Sequence, residues 1–171
     1  VMKYGQDDVR PILERASARE TAARVAVGAV ARRFLETFGI AVRSYTLAIG
    51  DVTVCIEGAE GRPTWRPEPD WAAVEPSPVR CADREASERM VQAIDAAREA
   101  GDTLGGVFEM WAIGVPIGLG SHVHWDRKLD GRLAQAVMSI HAVKGVEIGG
   151  GFALAGLPGS RAHDIILPAG Q

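Results

Sequence analysis

The sequence predicts an α+β layered fold in a single domain over residues 1–171. Two observations carry that expectation. The predicted elements run α-β-β-α-β-α-β-β, so helices segregate from hairpins instead of alternating with single strands. Each helix also brings its own start and stop signals, while glycine-rich turns join neighbouring strands. A chain of 171 residues is long enough to bury a real core.

Residues 1–16 read as a polar lead-in with a short helix around Asp8–Leu13. A long helix follows. Ser17 and Glu20 form an S-x-x-E capping box at its start, and Gly39 stops the Ala- and Val-rich run Thr21–Phe38. Ala22, Val25, Ala26, Ala29 and Val30 give it a small-residue surface suited to close packing. Ile40–Ile49 and Thr53–Glu57 read as strands joined at Gly50-Asp51. Residues 58–80 are irregular because Pro63, Pro67, Pro69, Pro76 and Pro78 forbid a regular element. Trp65 and Trp71 are expected to pin that stretch to the body. A second helix runs from an Asp83 cap to Gly101, with Ala86, Met90, Ala93, Ile94 and Ala97 as its buried stripe. Gly106–Ile113 is a strand, and a glycine-punctuated loop, Gly114–Gly120, follows it. A third helix covers about Lys128–Ile140. Ala142–Ile148 and Phe152–Leu157 read as strands joined by Gly149-Gly150-Gly151.

Apolar residues make up 47% of the chain and charged residues 24%, with 19 Lys and Arg against 22 Asp and Glu. A net charge of −3 argues against a general nucleic-acid binder. No apolar run approaches the length of a membrane span and no signal peptide opens the chain, so a cytoplasmic location is expected. Cys55 and Cys81 lack CxxC spacing and read as free thiols of a reducing compartment.

Four segments could carry chemistry. In Glu14-Arg15-Ala16-Ser17-Ala18-Arg19-Glu20-Thr21, two arginines and two hydroxyls surround a helix start whose N–H groups are unpaired. That is the composition of an anion site, although an ordinary capped helix with solvated arginines has the same residues and is favoured on the residues alone. In His122-Val123-His124-Trp125-Asp126, a strand would put the three polar side chains on one face, where they could hold a divalent metal. The competing reading, a polar strand edge with Asp126 capping the third helix, is favoured. Gly114–Gly120 lacks both GxGxxG spacing and a Lys-Ser/Thr ending, so it reads as a structural turn. In Met138–Glu147 a helix passes directly into a strand, and His141 at that junction is a weak signal for contact with a planar ligand.

Taken together these segments resemble the chorismate synthase family over nearly the whole chain. The first resembles its central signature, continued by Val25, Gly28, Ala29 and Val30. Gly101-Asp102-Thr103-Leu104-Gly105-Gly106 resembles its G-D-S/T-x-G-G segment, and Gly114–Gly120 its G-V-P-x-G-L-G loop. Met138–Gly149 resembles its M-S-I-x-A-x-K-G-V-E-I-G segment. The resemblance implies a layered sandwich of antiparallel sheets around helices, assembled as a homotetramer. It implies a lyase that converts 5-enolpyruvylshikimate 3-phosphate to chorismate by 1,4-elimination, with reduced FMN and no net redox change. It places Arg15, Ala16, Ser17, His141 and Ala142 against FMN, and Ala18 and Arg19 against the substrate. No catalytic residue and no metal site is implied on this chain. The family's catalytic histidines and its flavin-binding carboxy-terminal segment have no counterpart here, so the chain reads as an internal fragment expected to be inactive by itself. Gly150 stands where Asp is common, and Ile165 where Glu is usual. Two other functions stay in view: a non-catalytic binding or assembly module on the same fold, and a metal-dependent hydrolase at His122, His124 and Asp126.

Overall fold

The structure is a computed structural model that describes residues 2–54 and 68–163. Cys55, Trp65, the end of the predicted strand Thr53–Glu57, the first part of the proline-rich stretch and Ile165 lie outside the described residues. Helices and one small sheet make the chain α+β, as the sequence predicts. The chain divides into two compact units, residues 1–42 with 112–146, and residues 43–111 with 147–171.

In the first unit, helix α1 (Arg10–Ala16) packs against the long helix α2 (Ala18–Glu36). Asp8 starts α1 by accepting from the Arg10 backbone N–H at 2.9 Å. The Arg10 guanidinium bonded to its side chain holds the Asp8 carboxyl below its ordinary range. The two helices break at Ser17, whose backbone is extended (φ −105, ψ 179). Gly39, at φ +73, ends the run that began there. Gly114, at φ +74, must lack a side chain because a Cβ there would fall onto the Gly39 carbonyl oxygen. This supports the structural reading of the Gly114–Gly120 loop. A short 3-10 helix, Trp125–Arg127, packs against the α5 helix (Leu129–Met138; the intervening helices are given below).

The second unit holds most of the three-stranded sheet. Strand β1 (Ala41–Ile49) turns at Gly50 into β2 (Val52–Thr53), with Ala48 opposite Thr53 and Ile49 opposite Val52 in an antiparallel pair. β3 (Gly106–Ile113) completes the order β2-β1-β3. Alternation along β1 sends Tyr45 and Leu47 into a core with Val74, from the one-turn helix α3 (Trp71–Val74). Trp71 meets Tyr45 edge-on at 6.0 Å, so this tryptophan does pin the proline-rich stretch to the body. Helix α4 (Arg84–Glu99) starts at Asp83, which accepts from the Ala86 N–H at 2.8 Å. Its predicted stripe is buried at Ala86 and Met90, which form a second cluster with Cys81, Ile49, Val52, Val54 and Val79. Further along, Ile94 is exposed. It lines an open groove of about 760 Å³ with Ala97, Leu104, Val107 and Phe108. Burial pushes the Cys81 thiol pKa up, so this cysteine is an inert core residue.

Two predicted strands are absent from the structure. Residues 143–148 are irregular, and residues 151–156 form a 3-10 helix, Gly151–Gly156, ahead of the short helix α6 (Gly159–Ala162). The Val143, Val146 and Ile148 pattern looks strand-like, but a strand exists only through its ladder. No described segment pairs with it. Gly149 and Gly151 adopt positive φ, and Glu147 accepts from the Phe152 N–H at 3.1 Å, which coils the segment instead. No helix among the described residues is long and apolar enough to cross a membrane.

Met90 is fully buried in a cluster against which Ile49 of β1 and Val52 of β2 pack. Met90→Ala is expected to destabilise the protein by about 2–4 kcal/mol, against under about 1 kcal/mol for the half-exposed Ile94→Ala. Urea denaturation midpoints check this. Equal losses at the two positions would show that the α4 core is not where the structure puts it.

Candidate functional site

The first predicted segment straddles the α1–α2 break. Ser17 is the N-cap of α2, as the sequence predicts, and its Oγ accepts from the Arg19 N–H at 3.4 Å. The capping box is only half made. Glu20 does not return to the Ser17 N–H; its carboxylate lies 3.2 Å from Arg15 Nη1 and 3.5 Å from Arg24 Nε. Glu20 is the best shielded member, with its side chain 18% exposed. Arg15 and Arg19 are both open to solvent, and Arg19 Nη1 pairs with Glu14 Oε2 at 2.7 Å across the break. The break therefore concentrates three guanidinium groups around two carboxylates at the positive end of a 19-residue helix. Ala16 and Ala18 flank Ser17 and leave its backbone open to approach.

The second predicted segment lies just past α5. The Val143 N–H donates to the Ile140 carbonyl at 3.3 Å, so His141 and Ala142 are the two central residues of a tight turn. Ala142 has φ +67, while His141 is not among the residues with positive φ. A positive φ at the second central position of a turn is a conformation in which glycine is usual. Alanine there costs roughly 1–2 kcal/mol. Such strain persists only where the surroundings impose it, and it clusters at ligand sites. The helix-to-strand junction predicted here is thus a helix-to-turn junction.

One side chain joins the two segments. Arg24 Nη1 donates to Ser139 Oγ at 2.9 Å, and Ser139 Oγ in turn donates to the Ala136 carbonyl at 2.7 Å. Among the described residues, no hydrogen bond or ion pair links residues 15–19 directly to His141 or Ala142. Arg24 is not among the candidate residues of the sequence, and Ser139 enters there only within the Met138–Glu147 segment. The i,i+4 spacing of Glu20 and Arg24 is a visible signal for the first half of the link. The second half joins residues 115 apart and leaves no local trace.

The third segment is not a strand. Residues 122–124 bend and residues 125–127 coil, so the shared face expected for His122, His124 and Asp126 does not form. Asp126 does not cap α5 either, because its carboxylate meets His124 Nδ1 at 2.7 Å and the N-cap position is Lys128. No group of three or more potential ligands occurs among the described residues. This geometry gives the hydrolase reading no support. The open groove beside α4 lies in the second unit, and none of the predicted site residues lines it.

Fold and residues together define a class, an α+β protein with an arginine-flanked helix break. A family model described as chorismate synthase matches residues 1–170. The chain is 60% identical over 169 residues to the chorismate synthase of Moorella thermoacetica, covering 96% of this chain and 41% of that protein. It is 56% identical over 167 residues to that of Paenarthrobacter aurescens, covering 98% and 41%. A crystal structure of chorismate synthase is similar with a TM-score of 0.85 at 49% identity, covering 96% of this chain and 50% of that one. This chain belongs to the chorismate synthase family, and it spans about 41% of the length of these curated relatives.

Two stability measurements test the local geometry. Ser17→Ala should cost roughly 0.5 kcal/mol, the low end for a lost N-cap, since the observed bond is long. A neutral result would mean that the cap is not formed in solution. At the turn, Ala142→Gly should raise the melting temperature or leave it level, while the β-branched Ala142→Val should lower it. If glycine destabilises as much as valine, the left-handed conformation at Ala142 is wrong.

Proposed function

We propose that this chain is the central part of a chorismate synthase and supplies one side of its flavin and substrate pocket. In this reading the complete enzyme removes phosphate and a ring proton from 5-enolpyruvylshikimate 3-phosphate by 1,4-elimination, giving chorismate. It is a phosphate lyase that needs reduced FMN, and it works as a cytoplasmic homotetramer. The observation that carries the reading is the convergence in one unit of two segments of the family pattern. The arginine-flanked break at Ser17 and the strained turn at His141-Ala142 are tied by Arg24.

The residues present fit a flavin mononucleotide. Arg15, the Ser17 hydroxyl and the backbone at the start of α2, with the helix dipole behind it, are suited to its phosphate and to its polar ring edge. The small side chain of Ala142, at a turn that exposes its backbone, suits a planar ring. When bound, the reduced flavin supplies electron density to a reaction in which phosphate leaves before the proton does. Arg15, Ala16, Ser17, His141 and Ala142 would hold and orient it. Ala18 would let the substrate approach the helix, and Arg19 would grip a substrate phosphate or carboxylate.

Arg19 is already poised for such an exchange. Its partner Glu14 is an exposed carboxylate, and an exposed ion pair contributes under about 1 kcal/mol. An arriving phosphate offers two oxygens to the guanidinium fork and more charge than Glu14. Swapping partners therefore costs little and gains a bidentate contact.

Arg19→Lys in the complete enzyme separates this role from a solvated surface pair. Lysine keeps the charge but presents a point donor. The expected result is a higher KM and kcat/KM lower by about tenfold or more, with the melting temperature nearly unchanged. If kcat/KM stays within roughly twofold of the parent, Arg19 does not bind substrate.

A further inference from the structure

We propose that Arg24 is a positioning residue that sets the alignment of the two halves of the flavin site. The inference rests on the flavin reading above and assigns a role to residues outside that contact set. A continuous polar chain runs Arg15–Glu20–Arg24–Ser139. The Glu20 carboxylate forms ion pairs with both arginines, at 3.2 and 3.5 Å. Arg24 then spends a separate guanidinium nitrogen, Nη1, on Ser139 Oγ at 2.9 Å. Ser139 is the C-cap of α5, and its hydroxyl is fixed in turn by the Ala136 carbonyl. His141 and Ala142 begin two residues later, inside the turn closed by Val143 and Ile140.

Three features make Arg24 a positioning residue and not one more surface arginine. Its guanidinium spans a carboxylate and a hydroxyl on two different elements, which needs the planar, multi-donor geometry of arginine. Among the described residues, its bond to Ser139 is the hydrogen bond that joins α2 to the end of α5. The turn beyond Ser139 is strained at Ala142, so it depends on its surroundings to hold its shape. Loosening Ser139 lets the chain relax away from φ +67 and moves the flavin-facing backbone relative to Arg15 and Ser17. Glu20 has a double duty for the same reason. It orients Arg15 toward the ligand and Arg24 toward the turn, so a displacement at one end is felt at the other.

The test uses the complete enzyme with oxidised FMN as the probe. Its dissociation constant is read from flavin fluorescence, and the environment of the bound ring from its visible circular dichroism. Arg24→Gln, Arg24→Lys and Ser139→Ala should each weaken FMN by about tenfold, the value of one hydrogen bond to a charged group. They should also change the visible dichroism, while the melting temperature of the flavin-free protein stays close to that of the parent. Arg24→Gln combined with Ser139→Ala should be no worse than either alone, because both cut the same link. The inference is overturned if the three single variants bind FMN within roughly twofold of the parent. It is overturned equally if the double variant shows the summed loss of two independent contacts. Arg15→Ala separates the two levels of the argument. If it weakens FMN while the Arg24 and Ser139 variants do not, only the positioning role fails. If Arg15→Ala leaves FMN binding unchanged, the flavin reading fails and the positioning role with it.

Discussion

The extended backbone at Ser17 is the constraint on which the rest of the site depends. In a continuous helix through residues 10–36 the N–H groups around Ser17 would all be tied into the i→i−4 ladder. The break at φ −105 and ψ 179 restarts the helix and sets the positive end of its dipole at Ser17, whose hydroxyl caps the Arg19 N–H. It also brings the end of α1 to the start of α2, where Glu14 pairs with Arg19 and Arg15 with Glu20. None of those ion pairs follows ordinary i,i+4 spacing. They exist because one residue leaves the helical region, and serine is suited to that residue because its hydroxyl accepts from the restarted helix.

How α2 is held explains why so much weight falls on its ends. Val25, Val27, Val30 and Phe34 are each more than 60% exposed, so the described residues supply little packing for its apolar side chains. Tertiary burial of one face is the usual source of helix stability. Here the local terms carry more of it: the Ser17 cap, six alanines with high helical propensity, and the pairs at Glu20–Arg24 and Arg33–Glu36. Exposed apolar faces of this extent are uncommon in proteins at rest. The chain spans 41% of the length of its relatives, and the described residues leave this face uncovered.

What could be read from the sequence was what short-range chemistry decides. The Ser17 and Asp83 caps, the Gly50 turn, β3 from Gly106 to Ile113 and the Ala86–Met90 stripe each announce themselves within a few residues. The segment after α5 differs from the predicted strand because β-branched residues such as Val143, Val146 and Ile148 favour a strand without supplying the partner that its ladder needs. The His122–Asp126 face failed for the same reason, since its argument needed a strand that the chain does not make. At the candidate site the arginines were visible and their partners were not. Glu20 looked like the second half of a capping box, but a carboxylate with two guanidinium groups in reach gains more from them than from one backbone N–H. The Arg24–Ser139 bond joins residues too distant in sequence for any local pattern to register.

The charge balance at the break indicates what kind of ligand it can take. Three arginines face two glutamates, so the cluster carries one net positive charge before the helix dipole is added. A weakly charged ligand cannot displace Glu14 or Glu20, because it offers the guanidinium groups no better partner than they already have. A phosphate can, since it brings more charge and several oxygens to planar forks that bind two at once. The glutamates thus act as built-in competitors. In the proposed reading they set a threshold that phosphate-bearing ligands would cross more easily than simple carboxylates. Glu14 is exposed and guards Arg19 with a single pair, while the shielded Glu20 is shared by two arginines. The easier exchange is therefore at Arg19, the position read as facing the substrate, and the firmer one is at Arg15, the position read as holding the cofactor.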